Sequence, residues 1–171
     1  MLFGFAAYSR RSCVHFPQEN FTNALFLEDC RSFQLALLQT INNHSQKPWE
    51  EIKKSPHCRY LENDNDYKRI GKYLGLTKKE IDKLINNEFV YQISLGEDEK
   101  FRVYGILKVI GSQHHFEFLL FDPNHLFYPN PEKSEYPYGT GAVCLMNKEN
   151  CPGINEQPKD KKLIRKNYWK N

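Results

Sequence analysis

No stretch of this sequence holds the roughly 18 consecutive apolar residues that a membrane-crossing helix needs. The opening, Met1-Leu2-Phe3-Gly4-Phe5-Ala6-Ala7, is apolar but short, and Arg10 and Arg11 follow it instead of preceding it. A secretory signal wants its charge first and a longer apolar core. The segment therefore reads as a strand, and a cytoplasmic protein is expected. No Cys-x-x-Cys pair occurs. Five cysteines (Cys13, Cys30, Cys58, Cys144, Cys151) stand at irregular spacing, an odd count. Free thiols in a reducing compartment are the expectation, with a loop-closing Cys144–Cys151 disulfide or a metal contribution as the alternatives. There is no internal repeat. Charge of neither sign dominates: 24 Lys and Arg against 21 Asp and Glu leave a net charge of +3. That permits a phosphate-rich partner without demanding one.

Aromatic side chains are plentiful. Twelve Phe and ten Tyr in 171 residues can fill a core even where aliphatics are modest. The length suits one domain with appendages and needs no metal or disulfide to bury a core. Residues 1–130 read as a single α+β domain carrying a long 9–66 loop and helix insertion. Residues 131–171 read as a basic tail punctuated by Pro and Gly. Its last thirteen residues hold six Lys and Arg against one Asp.

Hydrophobic periodicity places the elements. Residues 2–8 are a first strand and residues 9–25 a loop. Phe26, Cys30, Phe33, Leu37 and Ile41 recur at helical spacing, which predicts a helix over 27–43. A second helix is expected over 67–74, stopped by Gly75. Thr77-Lys78-Lys79-Glu80 has the form of a capping box and opens a third. Residues 89–95, 101–110 and 115–121 alternate as strands, separated by turns at Gly96 and Gly111. Pro123 breaks the ladder, and residues 126–128 suit a short edge strand. The expected fold is an antiparallel sheet of three to five strands with helices packed on one face.

The chemistry concentrates on the strands. Arg102, Tyr104 and Lys108 share one sheet face by alternation, and a His114-His115 pair follows the next turn. A half-exposed antiparallel strand shows such a polar face anyway. Asp122 and His125 flank Pro123-Asn124. They read either as a turn in which the carboxylate accepts backbone N–H groups or as an acid–base pair. A zinc site from His114, His115, His125 and Asp122 has no supporting spacing. Residues 74–85 also resemble a helix-turn-helix fragment, with Lys78, Lys79, Asp82 and Lys83 facing outward. In the tail, Lys161, Lys162, Arg165, Lys166 and Trp169 form a candidate nucleic-acid contact through charge and stacking.

The element order β-α-α-β-β-β resembles the RelE/ParE-like toxin superfamily over about residues 60–130. Two stretches carry the resemblance. One is Phe101-Arg102-Val103-Tyr104-Gly105-Ile106-Leu107, and the other runs from Phe116 to Asp122-Pro123-Asn124-His125-Leu126-Phe127-Tyr128-Pro129. The resemblance implies a metal-independent endoribonuclease of a toxin–antitoxin or phage-defence module, with no cofactor. Its partners would be RNA, at times on the ribosome, and an antitoxin. Cleavage by attack of a ribose 2′-OH needs cations for the phosphorane, a base and an acid. The matching positions are Arg102 and Lys108 for charge, His115 or Tyr104 for proton transfer, and Tyr128 for stacking or as an acid. ParE-like members share the fold without cutting RNA. The alternatives are a non-catalytic protein-interaction module on the same fold and a helix-turn-helix DNA-binding protein.

Overall fold

A computed structural model describes residues 1–6, 14–96, 100–130, 132–139, 142–144 and 152–163. The elements in chain order are β1 (Leu2–Phe5), β2 (His15–Phe16), β3 (Phe21–Thr22), β4 (Leu25–Phe26), α1 (Cys30–Ser45), α2 (Trp49–Ile52) and β5 (Cys58–Tyr60). They continue with α3 (Asp64–Tyr73), α4 (Lys78–Asn87), β6 (Phe89–Leu95), β7 (Phe101–Ile110), β8 (Gln113–Asp122) and β9 (Ala142–Val143). The class is α+β, as the hydrophobic periodicity predicts.

One five-stranded sheet runs in the order β1-β8-β7-β6-β5. The β5 to β8 pairs are antiparallel, but β1 joins β8 in parallel, Leu2 opposite His115 and Phe5 opposite Phe118. The first strand thus returns to the far edge of the meander. Two small ladders, β2 with β3 and β4 with β9, decorate the sheet. In the described part of the predicted 9–25 loop, residues 14–25, the two-residue strands β2 and β3, a 3-10 turn and the start of β4 form, residues 9–13 lie outside the described residues, and α2 and β5 are additional to the predicted elements. Residues 126–128 form a turn instead of an edge strand.

Both faces of the sheet are covered. Helices α3 and α4 lie on one face, where Tyr67, Ile70 and Leu84 pack with Val90, Tyr104 and Ile106. The capping box forms as read: Glu80 N–H donates to the Thr77 hydroxyl, and Thr77 N–H to the Glu80 carboxylate. Helix α1 covers the other face, where Phe33 and Ala36 meet Ile93, Val103, Phe116 and Phe118. Helices on one face were expected. The apolar stripe of α1 adds a second layer on the opposite side.

The two cores are kept apart by a register shift between β7 and β8 at Tyr104/Gly105. Leu120 pairs with Tyr104 and Phe118 with Gly105, so Leu119 is an extra residue. The bulge lets Leu119 and Leu120 both join the α3/α4 core, while Phe116, Phe118 and Phe121 pack on the α1 side.

The segment after residue 130 packs against the domain where it is described. Tyr136 is fully buried, its N–H donates to Leu163 O, and β9 pairs with β4. The expected anchors Tyr136 and Val143 are both found. Leu145, Met146 and the basic end from residue 164 lie outside the described residues. Cys30 and Cys58 are free, as expected. Cys144 departs from the expectation of free thiols: it is disulfide-bonded.

Gly105 is the tightest point in the sheet. A Cβ there would lie 2.3 Å from the Phe116 ring and 2.8 Å from Glu117 O. Gly105→Ala is expected to destabilise the fold by about 1–3 kcal/mol, read as a lower urea midpoint with an unchanged slope. Phe116→Leu in the same chain should recover part of the loss. An unshifted midpoint would contradict this packing.

Candidate anion-binding site

The β8 strand ends at Asp122, opposite Arg102. Pro123 has no N–H to continue the ladder, so the chain turns back over the sheet. Asp122 is fully buried and accepts two backbone bonds, from Leu126 N–H at 2.7 Å and Phe127 N–H at 2.9 Å. His125 takes the left-handed conformation, φ 58°, that lets the turn close. Asn124 Nδ2 donates to Ala24 O at 2.5 Å, tying the turn to the loop before β4. The Ser134 hydroxyl donates to His125 O and accepts from Asn130 N–H. Of the two readings of Asp122 and His125, the turn is the one that forms.

The turn lays Phe127 and Tyr128 across the end of the sheet. Phe127 packs on Tyr104 with centroids 4.7 Å apart. Around this pair stand three arginines from three elements. Arg102 comes from β7. Arg69 comes from α3, its guanidinium 4.1 Å from the centre of the Phe127 ring. Arg59 comes from β5, stacked 5.1 Å over Tyr128. Arg59 and Arg102 have no ion-pair partner among the described residues, and the buried Nε of Arg102 has no hydrogen-bond acceptor. Among the described residues Arg69 has Asp66, 4.0 Å away, and the Tyr73 hydroxyl. A half-buried guanidinium with unmet donors is a ready receptor for an anion.

The titrating groups are set by burial. Burial pushes Asp122 up to about 6, against the two backbone bonds and the charges of Arg102 and Arg69. Burial, helped by Arg102 and Lys133, lowers His125 to about 4, so its imidazole is neutral at pH 7. His125 Nδ1 is buried without a partner. Tyr128 donates its hydroxyl proton to Asp66, and its pKa is raised, by burial first and then by that bond. This makes Tyr128 a poor acid and leaves its ring as a contact surface.

Arg102 and Tyr128, two of the expected catalytic residues, are together here. The other three are not available beside them. Tyr104 is fully buried beneath Phe127, its hydroxyl bonded to Gln92 at 3.0 Å. Lys108 shares the sheet face but lies about 20 Å along the strand from Arg102, six residues on. It is paired with Glu117 at 2.6 Å. His115 sits opposite Lys108 in the register, at the same remote end. His114 and His115 point to opposite faces, and no group of three metal-ligating side chains occurs among the described residues. In the tail, Lys161 and Lys162 are exposed on a short 3-10 turn, while Arg165, Lys166 and Trp169 lie outside the described residues.

Arg59 and Arg69 escaped the sequence reading. Arg59 lies on a three-residue strand too short for an alternation signal. Arg69 looked like a helix surface position. Its one legible signal was the placement of Asp66 and Tyr73 three residues before and four after it on one helix face.

The fold and site define an α+β domain with a cluster of three arginines at one end of its sheet. A family model described as "Uncharacterised protein UU032" matches residues 12–150. The chain belongs to that family, whose span takes in the whole arginine cluster. No curated protein and no solved structure matches the chain.

Asp122 and His125 give opposite pH dependences. Below pH 6 the folded chain holds a proton on Asp122 that the unfolded chain releases down to the usual carboxylate range. Its contribution to stability therefore falls as pH rises through about 6. Folded His125 stays neutral down to about pH 4, whereas the unfolded imidazole protonates near 6.5, so its contribution falls as pH drops through that window. Each amounts to about 3 kcal/mol, and the two nearly cancel. Asp122→Asn should therefore make stability rise more steeply from pH 4 to 6 than in wild type, measured by urea unfolding. Parallel curves for the two proteins would refute the assignment.

Proposed function

We propose that this chain is an RNA-binding domain of the toxin-like kind, which holds RNA phosphates at Arg59, Arg69 and Arg102. The observation that carries the reading is the meeting of three guanidiniums at the turn after β8: Arg59 stacks on Tyr128, Arg69 on Phe127, and Arg102 acts on the buried Asp122, with no ion-pair partner for Arg59 or Arg102 among the described residues. Guanidinium forks match phosphate oxygens in pairs, and an adjacent aromatic ring suits a nucleobase. The proton-transfer residues expected for cleavage do not accompany the arginines, so the proposal is binding without the expected cutting machinery. An antitoxin-like protein partner would offer carboxylates to the same three side chains. Action on RNA places the protein in the cytoplasm, where the Cys144 disulfide would face a reducing pool. No helix among the described residues is long and apolar enough to cross a membrane.

A second reading is favoured by one observation. Lys78, Lys79 and Lys83 are all exposed on α4, the helix that would enter a groove in a helix-turn-helix protein. Its distinguishing property is a preference for duplex DNA over RNA.

Fluorescence anisotropy with a short labelled oligouridylate tests the first reading. Arg102→Ala should weaken binding by about tenfold, the loss of a charged hydrogen bond. It should also reduce the log–log salt slope by about 0.7. Lys108→Ala and His115→Ala should bind like wild type. Absence of binding by the wild type, or equal weakening by all three variants, would overturn the proposal. Loss of duplex DNA binding on Lys79→Ala and Lys83→Ala would move the assignment to α4.

A further inference from the structure

The arginine cluster contains a carboxylate of its own, Asp66, on the first turn of α3. Asp66 and Arg69 stand three residues apart on one helix face, where opposite charges normally close on each other. Two other ion pairs at helical spacing do close: Glu50 with Lys53 at 2.6 Å and Lys47 with Glu51 at 3.0 Å. Asp66 Oδ1 and Arg69 Nη1 stay 4.0 Å apart, beyond hydrogen-bond reach. Their side chains are 14% and 34% exposed, less than those of either other pair, so water screens their attraction less. Something other than solvent keeps them apart.

The Tyr128 hydroxyl accounts for the gap. It donates to the other carboxylate oxygen, Asp66 Oδ2, and so ties the carboxylate to the turn after β8. Burial and this bond both raise the Tyr128 pKa, so the phenol keeps the proton that it donates. The Tyr128 ring is set by Arg59, 5.1 Å over it, and by Phe127, edge-on at 5.0 Å. Arg69 is fixed independently. Its guanidinium lies 4.1 Å over the Phe127 ring and 5.8 Å over the Tyr73 ring, and Nη2 donates to the Tyr73 hydroxyl at 3.4 Å.

The gap has a chemical consequence. Among the described residues Arg69 Nη1 has no acceptor within hydrogen-bond distance. A phosphate oxygen arriving from solvent meets a donor already aimed and not yet used. A carboxylate closed on Arg69 would fill the same place, because guanidinium forks take carboxylate and phosphate oxygens alike. Asp66 is therefore an internal competitor, and its restraint decides whether Arg69 is open.

We propose that Tyr128 is a positioning residue of the anion site, whose hydroxyl holds Asp66 away from Arg69 and keeps that guanidinium open to an RNA phosphate. This rests on the RNA-binding reading and adds how the site is regulated from within. The Tyr128 hydroxyl contacts no ligand; it acts through Asp66. Loss of its hydrogen bond lets the carboxylate turn onto Arg69, and the site closes on itself.

The test uses the full chain, ligand-free NMR of the Arg69 Nε–H group, and fluorescence anisotropy with labelled oligouridylate. Without ligand, the Arg69 signal should shift in Tyr128→Phe, and the same substitution should leave it in place in an Asp66→Asn background. Tyr128→Phe should weaken oligouridylate binding by about threefold, on the scale of a half-exposed ion pair. In the Asp66→Asn background it should have no effect on binding. Asp66→Asn alone should bind at least as tightly as wild type. The Tyr128 ring position stays aromatic in every variant, and circular dichroism verifies the fold. An unmoved Arg69 signal in Tyr128→Phe would overturn the proposal. Equal weakening by Tyr128→Phe in both backgrounds would mean that the hydroxyl meets the ligand itself, which overturns the restraint and leaves the RNA reading standing. Binding of oligouridylate by neither wild type nor any variant would overturn the RNA reading and this proposal together.

Discussion

One buried carboxylate organises the part of this protein where its chemistry lies. Asp122 has left water entirely, and it is kept there by two backbone N–H groups that would otherwise be unmatched in the turn after β8. Pro123 ends the ladder, and those two bonds, with the Asn124 and Ser134 bonds, hold the chain folded back over the sheet. With them, Phe127 closes over Tyr104, and Tyr128 comes to rest between Arg59 and Asp66. The aromatic and arginine side chains at this end of the sheet are thus placed by a buried carboxylate. The nearby positive charges of Arg69 and Arg102 help Asp122 ionise, and it in turn steadies them without pairing closely with either.

The sheet beneath that turn solves a separate problem. It must bury both faces, yet its strands carry aromatic residues too large to meet without accommodation. The bulge at Leu119 shifts the side-chain alternation, so each face receives a continuous apolar set. Gly105 removes the one side chain that would collide with Phe116. Helices α1 and α3–α4 then cap the two faces, and β1 closes the far edge in parallel. The arginine cluster draws one residue each from α3, β5 and β7.

Much of the fold was legible, and the reasons are local. The apolar stripe of α1, the Thr77 capping box and the alternation of β6, β7 and β8 are all short-range patterns. The parallel pairing of β1 was not legible, because no sequence pattern says which strand receives an edge partner more than a hundred residues away. Alternation correctly put Arg102, Tyr104 and Lys108 on one face. It says nothing of what covers that face, and Phe127 arrives from a turn. Tyr104 therefore reads as a polar site residue and is a core residue. Arg59 and Arg69 were missed because a three-dimensional meeting of three elements leaves no mark on any one of them. For Cys144 the sequence left both a free thiol and a disulfide open, and the structure shows it disulfide-bonded.

The functional account stands on the guanidiniums of Arg59 and Arg102, without an ion-pair partner among the described residues, and on the turn that lays Phe127 and Tyr128 against Arg69 and Arg59. Its most direct measurement is an NMR titration of the full chain with a short single-stranded RNA, followed at the arginine side-chain Nε–H groups and the backbone amides. The account predicts that Arg102 and Arg59 Nε–H and the amides of Leu126, Phe127 and Tyr128 move first and saturate together. Shifts confined to α4 around Lys78, Lys79 and Lys83, or no shift at the arginines at saturating RNA, would contradict it.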